Sequence, residues 1–132
     1  MLPRTLLVEH GVVTLGQALP RAVATAGVGD SLVALRPEPG SGVERIVVFV
    51  DESGRVRSIT SDFQHGVSYD SLRAAYAESF GPFAASRPVR RGEVPSELAA
   101  WHDSSTDLRL LSDPNRSAWT VRRIVRDRAP HP

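Results

Sequence analysis

The stretch "VERIVVFVDESGRVRSIT", residues 43–60, contains the clearest strand signal in the chain and decides the class of fold. Every position from 46 to 50 is apolar, which is typical of a central strand covered on both faces. The Asp-Glu-Ser-Gly segment at 51–54 has the composition of a tight hairpin with its glycine in the left-handed conformation. The chain returns as a second strand over 55–60. An antiparallel sheet built around this hairpin is therefore predicted.

Further strands are predicted on both sides of this hairpin. "SLVALR" (31–36) precedes it. The second half has three runs of strand character, joined by the turn-rich segments "DSST" and "DPNRS": "ELAAWH" (97–102), "DLRLLS" (107–112) and "AWTVRRIVR" (118–126). Each half of the chain thus contains a three-stranded meander.

Two glycine-bounded segments predict one helix each and resemble one another: "GVVTLGQALPRAVATAG" (11–27) and "GVSYDSLRAAYAESFG" (66–81). Thr14 and Ser68 are suitable N-caps, and the spacing from Thr14 to a glutamine three residues later fits a capping box. The closing glycine of each segment suits the left-handed position that ends a helix. A glycine and a proline inside the first segment favour a late start or a kink there.

The order of these elements predicts an α+β fold. Two tandem helix-plus-β-meander repeats, about 11–62 and 66–127, would form one antiparallel sheet with the helices packed on one face. The length of 132 residues suits a single domain spanning 1–132. The segment 82–96, with three prolines and three arginines, is expected to be a surface loop.

This tandem layout resembles the superfamily that includes the β-lactamase-inhibitor-protein-like domains and the small BamE/SmpA-like lipoproteins. The segments that carry the resemblance are "TLGQALPRAVATAG…IVVFVDESGRVRSIT" and "SYDSLRAAYAESFG…LAAWHDSSTDLRLL". The resemblance covers most of the chain but rests only on the order of the helices and strands. It implies a protein-binding function, because members mostly bind other proteins. The chain lacks the disulfides and the anchoring cysteine of those members, so no functional residue carries over.

Composition excludes several chemistries. The chain has no cysteine, which removes disulfides, thiolate metal sites and a cysteine nucleophile. It has no lysine either, which is typical of coding bias in a GC-rich genome, so all 16 basic residues are arginines and a Schiff-base or P-loop lysine is excluded. The net charge of +1 argues against a nucleic-acid role. No membrane span or signal peptide is predicted, so the expected location is cytoplasmic, or periplasmic or secreted if a leader has been removed.

The segment "WHDSSTDLRLL", residues 101–111, contains a histidine, two aspartates, two serines and a threonine, which are side chains that could serve catalysis. His102 and Asp103 are adjacent, so a strand would point them to opposite faces and prevent a His–Asp pair. Aspartate, serine and threonine side chains also suit a hairpin turn, since they bond to nearby backbone. We interpret the segment as a turn, and an enzyme built on His102 is the alternative. The scattered histidines predict no metal site, and no cofactor is expected.

Arginines alternate with apolar residues along the predicted strands. Leu108 and Leu110 share one face and Arg109 the other, while Trp119 is expected on the face of Val121, Val125 and Arg123. One sheet face would then carry Arg55, Arg57, Arg109, Arg122 and Arg126, together with Trp101. These residues are the candidate partner contacts, along with Arg90 and Arg91 of the loop: Arg55, Arg57, Trp101, Arg109, Arg122, Arg90 and Arg91. The alternative is a solvated face with cross-strand ion pairs.

The sequence therefore favours a non-catalytic protein-interaction module, such as an inhibitor, an immunity-type protein or an accessory subunit. Its expected partner is a protein with an acidic surface, bound through an arginine-rich sheet face. The second hypothesis is a small-molecule-binding protein with a pocket between helices and sheet near Tyr69, Tyr76 and Trp119. The oligomeric state is not predicted.

Overall fold

The computed structural model describes residues 1–23, 25, 31–86 and 96–128, and this part of the chain forms nine strands and one helix. In chain order the elements are β1 (Thr5–Val8), β2 (Gly11–Thr14), β3 (Leu32–Leu35), β4 (Val43–Val50), β5 (Val56–Phe63), α1 (Tyr69–Phe80), β6 (Ala84–Ser86), β7 (Glu97–His102), β8 (Thr106–Ser112) and β9 (Val121–Asp127).

A seven-stranded antiparallel sheet organises the fold, with the strand order β3-β4-β5-β9-β8-β7-β6. Strands β3 to β5 form one meander and β6 to β9 another, and the two meanders join where β5 pairs with β9. The predicted antiparallel sheet is therefore confirmed. Strands β1 and β2 pair with each other as a separate hairpin.

The hairpin between β4 and β5 follows the prediction. The Asp51 carboxylate accepts hydrogen bonds from the backbone N–H groups of Ser53 and Arg55, and Gly54 has a φ of 82°. A β-bulge follows, because Phe49 pairs with Ser58 while its neighbour Val50 pairs with Val56. Arg57 is the extra residue of this bulge, so strict alternation of faces does not hold at that position.

The helix predicted in the second half is also present. Ser68 is the N-cap of α1, and its side-chain oxygen accepts from the backbone N–H of Ser71. Gly81 ends the helix with a φ of 88°. The helix lies against β8, and Tyr76 meets the ring of Trp101 edge to face at 5.9 Å. Within the described ranges, no helix is long and apolar enough to cross a membrane.

The prediction of two helix-plus-meander repeats is wrong, because the first helix does not form. Within the segment 11–27, the first four residues are strand β2, and Gly16 has a φ of 82° that a helix does not allow. The β-branched Val12 and Val13 favour a strand, and Pro20 lacks the N–H that a helix interior needs. Where it is described, the first half of the chain therefore contains strands and turns but no helix, and the described fold is mostly β with a single short helix.

The β1–β2 hairpin takes the place of the missing helix over the sheet. Its two-residue turn places His10 at a φ of 67°, a region that histidine enters more readily than most residues. Val8 and Val13 are buried in the same core as Leu108 and Leu110 of β8. The sheet therefore has a core face, which packs against this hairpin and α1, and an opposite outer face.

Candidate protein-binding face

Cross-strand pairing defines the outer face of the four central strands. Residues directly opposite each other in a sheet project on the same side, so three rows of four side chains cross β4, β5, β9 and β8. The rows are Arg45–Asp62–Arg122–Leu111, Val47–Thr60–Ile124–Arg109 and Phe49–Ser58–Arg126–Asp107. We call these twelve positions the arginine face. It brings together three of the predicted face residues, Arg109, Arg122 and Arg126.

Three arginines of this face have no acidic partner. Arg45, Arg109 and Arg126 are exposed, and within the described part of the chain no carboxylate lies within 4.0 Å of their guanidinium groups. Asp107 sits directly opposite Arg126, but its carboxylate pairs at 3.6 Å with Arg128. Each of these three guanidinium groups therefore has its five N–H donors available for a carboxylate from outside the chain.

An exposed apolar pair adjoins these charges. Phe49 is 38% exposed, and its cross-strand partner Leu32 on β3 is 47% exposed. Val47 and Ile124 are half-buried in the neighbouring row. The surface thus combines cationic and apolar side chains, a combination enriched in protein interfaces.

Arg122 differs from the other arginines of this face because the fold uses it. Its Nε and Nη2 donate to the two carboxylate oxygens of Asp62 at 2.5 and 2.9 Å, a bidentate pair. Its guanidinium carbon also lies 4.3 Å from the centre of the Trp119 ring, with Arg116 at 5.0 Å. Trp119 is 6% exposed and belongs with Arg122 on the outer side, so its predicted place on the core face is wrong.

Two predicted contact residues lie on the core side instead. Trp101 is 3% exposed, and its Nε1 donates to the Gly81 carbonyl at 3.0 Å. Arg57 points inward at the β5 bulge and reaches Asp127. Arg55 is exposed beside the β4–β5 turn, off the arginine face. Arg90 and Arg91 lie outside the described residues.

Arg57 belongs to an ionic cluster formed by Asp51, Arg57, Asp127 and Arg4. Arg57 donates to Asp51 at 2.5 Å and to Asp127 at 2.6 Å, and Arg4 donates to Asp127 at 2.9 Å. The Asp127 side chain is only 1% exposed. Hydrogen bonds from Ser53, from the backbone of Arg55 and from Arg57 hold the pKa of Asp51 well below its usual range. The cluster ties the N-terminal segment to β5 and β9.

The polar segment 101–111 forms the β7–β8 hairpin that its composition predicts. The Asp103 carboxylate accepts from the backbone N–H groups of Leu2, Ser105 and Thr106 at 3.0, 2.9 and 2.8 Å. These bonds lower the pKa of Asp103 to about 2, and the bond from Leu2 has the largest effect. The carboxylate is therefore committed to the turn. The described residues also contain no group of three or more side chains suited to hold a metal ion.

Two arginines that the structure makes prominent were not among the predicted contacts. Arg45 lies on the outer face with Val47 and Phe49, and the period-two alternation along β4 was the available signal. Alternation correctly placed Arg123 on the face of Val121 and Val125, both buried, but nothing in the sequence shows which groups would meet it there.

Comparison with protein-family models, with curated proteins and with solved structures gives no match to this chain. The likeness to the inhibitor-protein and BamE/SmpA-like superfamily thus gains no support from these comparisons, and one of the two helices on which it depends is absent.

Proposed function

We propose that this protein is a non-catalytic interaction module that binds an acidic protein surface through the arginine face. The observation that carries the proposal is the alignment on one sheet face of three exposed arginines, Arg45, Arg109 and Arg126, that have no acidic partner among the described residues. An inhibitor, an immunity-type protein or an accessory subunit would use such a surface.

Charge complementarity favours an acidic partner. The twelve positions of the arginine face carry four arginines and two aspartates, and both aspartates already pair with arginines of the chain, Asp62 with Arg122 and Asp107 with Arg128. Arg109 and Arg126 are diagonal neighbours on adjacent strands, so their positive charges lie close together. A carboxylate-rich partner would complement these charges and associate faster.

The apolar pair makes a protein a better occupant than a polyanion such as nucleic acid. Leu32 and Phe49 offer area that an apolar patch of a protein would bury, whereas phosphate contacts would leave it exposed. The side chains of the arginine face also project from paired strands, so binding carries no entropy cost of ordering a loop.

The test is affinity capture from a nuclease-treated lysate of the source organism, with bound proteins quantified by mass spectrometry at low and moderate salt. The bait with Arg109→Glu and Arg126→Glu should lose a partner that the wild-type chain retains. The control bait carries Arg21→Glu and Arg55→Glu, which change the net charge equally at two exposed, unpaired arginines away from this face.

Loss of one protein with the first bait and its retention with the second would support the proposal. Equal capture by both variant baits would contradict it. Capture that occurs from an untreated lysate and is lost from the nuclease-treated one would assign the face to nucleic acid instead.

A further inference from the structure

A pocket of about 370 Å³ lies on the other side of the sheet, between the β1–β2 hairpin and the core face. Its floor is buried, formed by Ser61 and Phe63 of β5, and its rim is exposed at Thr5, Leu7 and Glu38. Pockets that bind small molecules have volumes of roughly 300–1,000 Å³, so this one suits a small ligand. The full lining is Thr5, Leu6, Leu7, Glu38, Ser41, Val43, Ser61, Phe63 and Arg123.

Arg123 is the unusual member of this lining. It lies on the core face of β9, directly across from Ser61 and between the buried Val121 and Val125. Its Nε is buried and has no hydrogen-bond partner. Its Nη1 makes one long contact, 3.4 Å to the hydroxyl of Tyr76. The guanidinium carbon also lies 5.9 Å from the centre of the Tyr76 ring, but within the described ranges no carboxylate lies within 4.0 Å, so this charge at the core face has no anionic partner there.

The other arginines that reach the core side are compensated. Arg57 and Arg4 share the buried carboxylate of Asp127, and Arg4 donates as well to the Ser105 carbonyl and the Thr106 hydroxyl. Arg123 lines a pocket instead, with no acid of the described residues within 4.0 Å. The missing anion is therefore expected from a ligand.

We propose that this pocket binds a small organic monocarboxylate. The carboxylate pairs with Arg123 beside the hydroxyl of Ser61, and the short apolar part contacts Leu6, Val43 and Phe63. Glu38 at the rim repels a second negative charge, which favours a monoanion over a phosphate or a dicarboxylate.

This site lies on the face opposite the arginine face and shares no residue with it. The two proposals can therefore fail separately, because substitutions at Arg123 leave Arg109 and Arg126 in place.

The binding test is isothermal titration at pH 7 with butyrate, hexanoate and benzoate, and with hexanamide as a neutral ligand of matched size. At least one carboxylate should bind saturably and hexanamide should not. Arg123→Gln should weaken binding by about tenfold or more, since it removes a charge-assisted hydrogen bond. The control Arg109→Gln should change the affinity by less than about twofold. Failure of all three carboxylates to bind, or equal binding by hexanamide or by Arg123→Gln, would overturn the proposal.

If Arg123→Gln does not fold, the Tm of a second variant tests the proposal. Arg123→Met should raise the Tm of the free protein by about 3 °C, because it replaces a half-buried charge that has no acidic partner among the described residues with an apolar side chain. Arg57→Met should lower the Tm, because that guanidinium is paired. The arginine Nε–Hε NMR signals of the wild-type protein are also recorded with and without hexanoate. If Arg123→Met has a lower Tm and hexanoate perturbs none of these signals, then Arg123 is structural and the proposal fails.

Discussion

On the core face of the sheet Arg57 donates to two carboxylates, whereas on the outer face Arg109 and Arg126 meet none. Whether an arginine has an acidic partner does not depend only on the face where it lies. Two neighbouring arginines on β9 show this. Arg122 projects outward and is held by Asp62, while Arg123 projects inward and has no acid within 4.0 Å among the described residues. Arg57 and Arg122, each paired with a buried acid, stabilise the fold. Both binding proposals rest on arginines without such an acid.

The largest expected effect lies in the ionic cluster. Asp127→Ala should lower the free energy of unfolding by about 3 kcal/mol, because Arg4 and Arg57 would lose the buried carboxylate between them. Urea denaturation measures this change. Asp70→Ala is the control, since its ion pair with Arg73 is exposed and, with its place in the first turn of α1, should contribute no more than about 1 kcal/mol. Equal effects of the two substitutions would refute a structural role for the cluster.

A smaller effect separates the arginines of the outer face. Arg122→Ala should cost about 1.5 kcal/mol, because it breaks a bidentate pair and uncovers the ring of Trp119. Arg109→Ala should stay within about 0.5 kcal/mol, as for other exposed positions without partners. Chemical denaturation followed by tryptophan fluorescence measures both changes. A cost at Arg109 as large as that at Arg122 would show that the arginine face is structural throughout.

The smallest expected effect concerns acid stability at the β7–β8 turn. The pKa of Asp103 is about 2 in the folded chain, against 3.8 when unperturbed, so the unfolded chain takes up this proton first as the pH falls. The stability that Asp103 contributes is complete above about pH 4 and is lost as the pH falls towards 2. Asp51, whose pKa is also lowered, adds a loss of the same sign.

This pH dependence is measured as the urea midpoint between pH 5 and pH 2. The midpoint should fall over this range in the wild-type chain and fall less in Asp103→Asn. An identical decline in the two proteins would show that the turn does not hold the carboxylate in solution.

Much of the second half of the fold was predictable from the sequence. The Ser68 cap, the glycine stop at Gly81 and the alternation of Leu108 and Leu110 each reflect a local rule that the structure obeys. In the first half the β4–β5 hairpin was predictable, but the segment 11–27 was not, because its apolar spacing fits a helix as well as a strand and turn. Pairing of β2 with β1 across a two-residue turn, together with packing of this hairpin on the sheet, decides between them.

The candidate site was predictable only in part for a similar reason. Alternation correctly placed Arg109, Arg122 and Arg126 together. It misplaced Arg57 because a bulge inserts one residue into β5, and it took Trp101 for a surface residue although the ring is buried under Phe83 and Tyr76. Which arginine finds an acid depends on the register of strands far apart in sequence, as between Asp62 and Arg122.

Binding through the outer face is best tested by the affinity of the purified, captured partner for the wild-type chain and two variants, measured by isothermal titration at moderate salt. We expect Arg109→Glu with Arg126→Glu to weaken binding by at least about a hundredfold, and Arg21→Glu with Arg55→Glu to change it by less than about threefold. Equal affinity for the two variants would contradict the claim that the unpaired arginines of the outer face bind the partner.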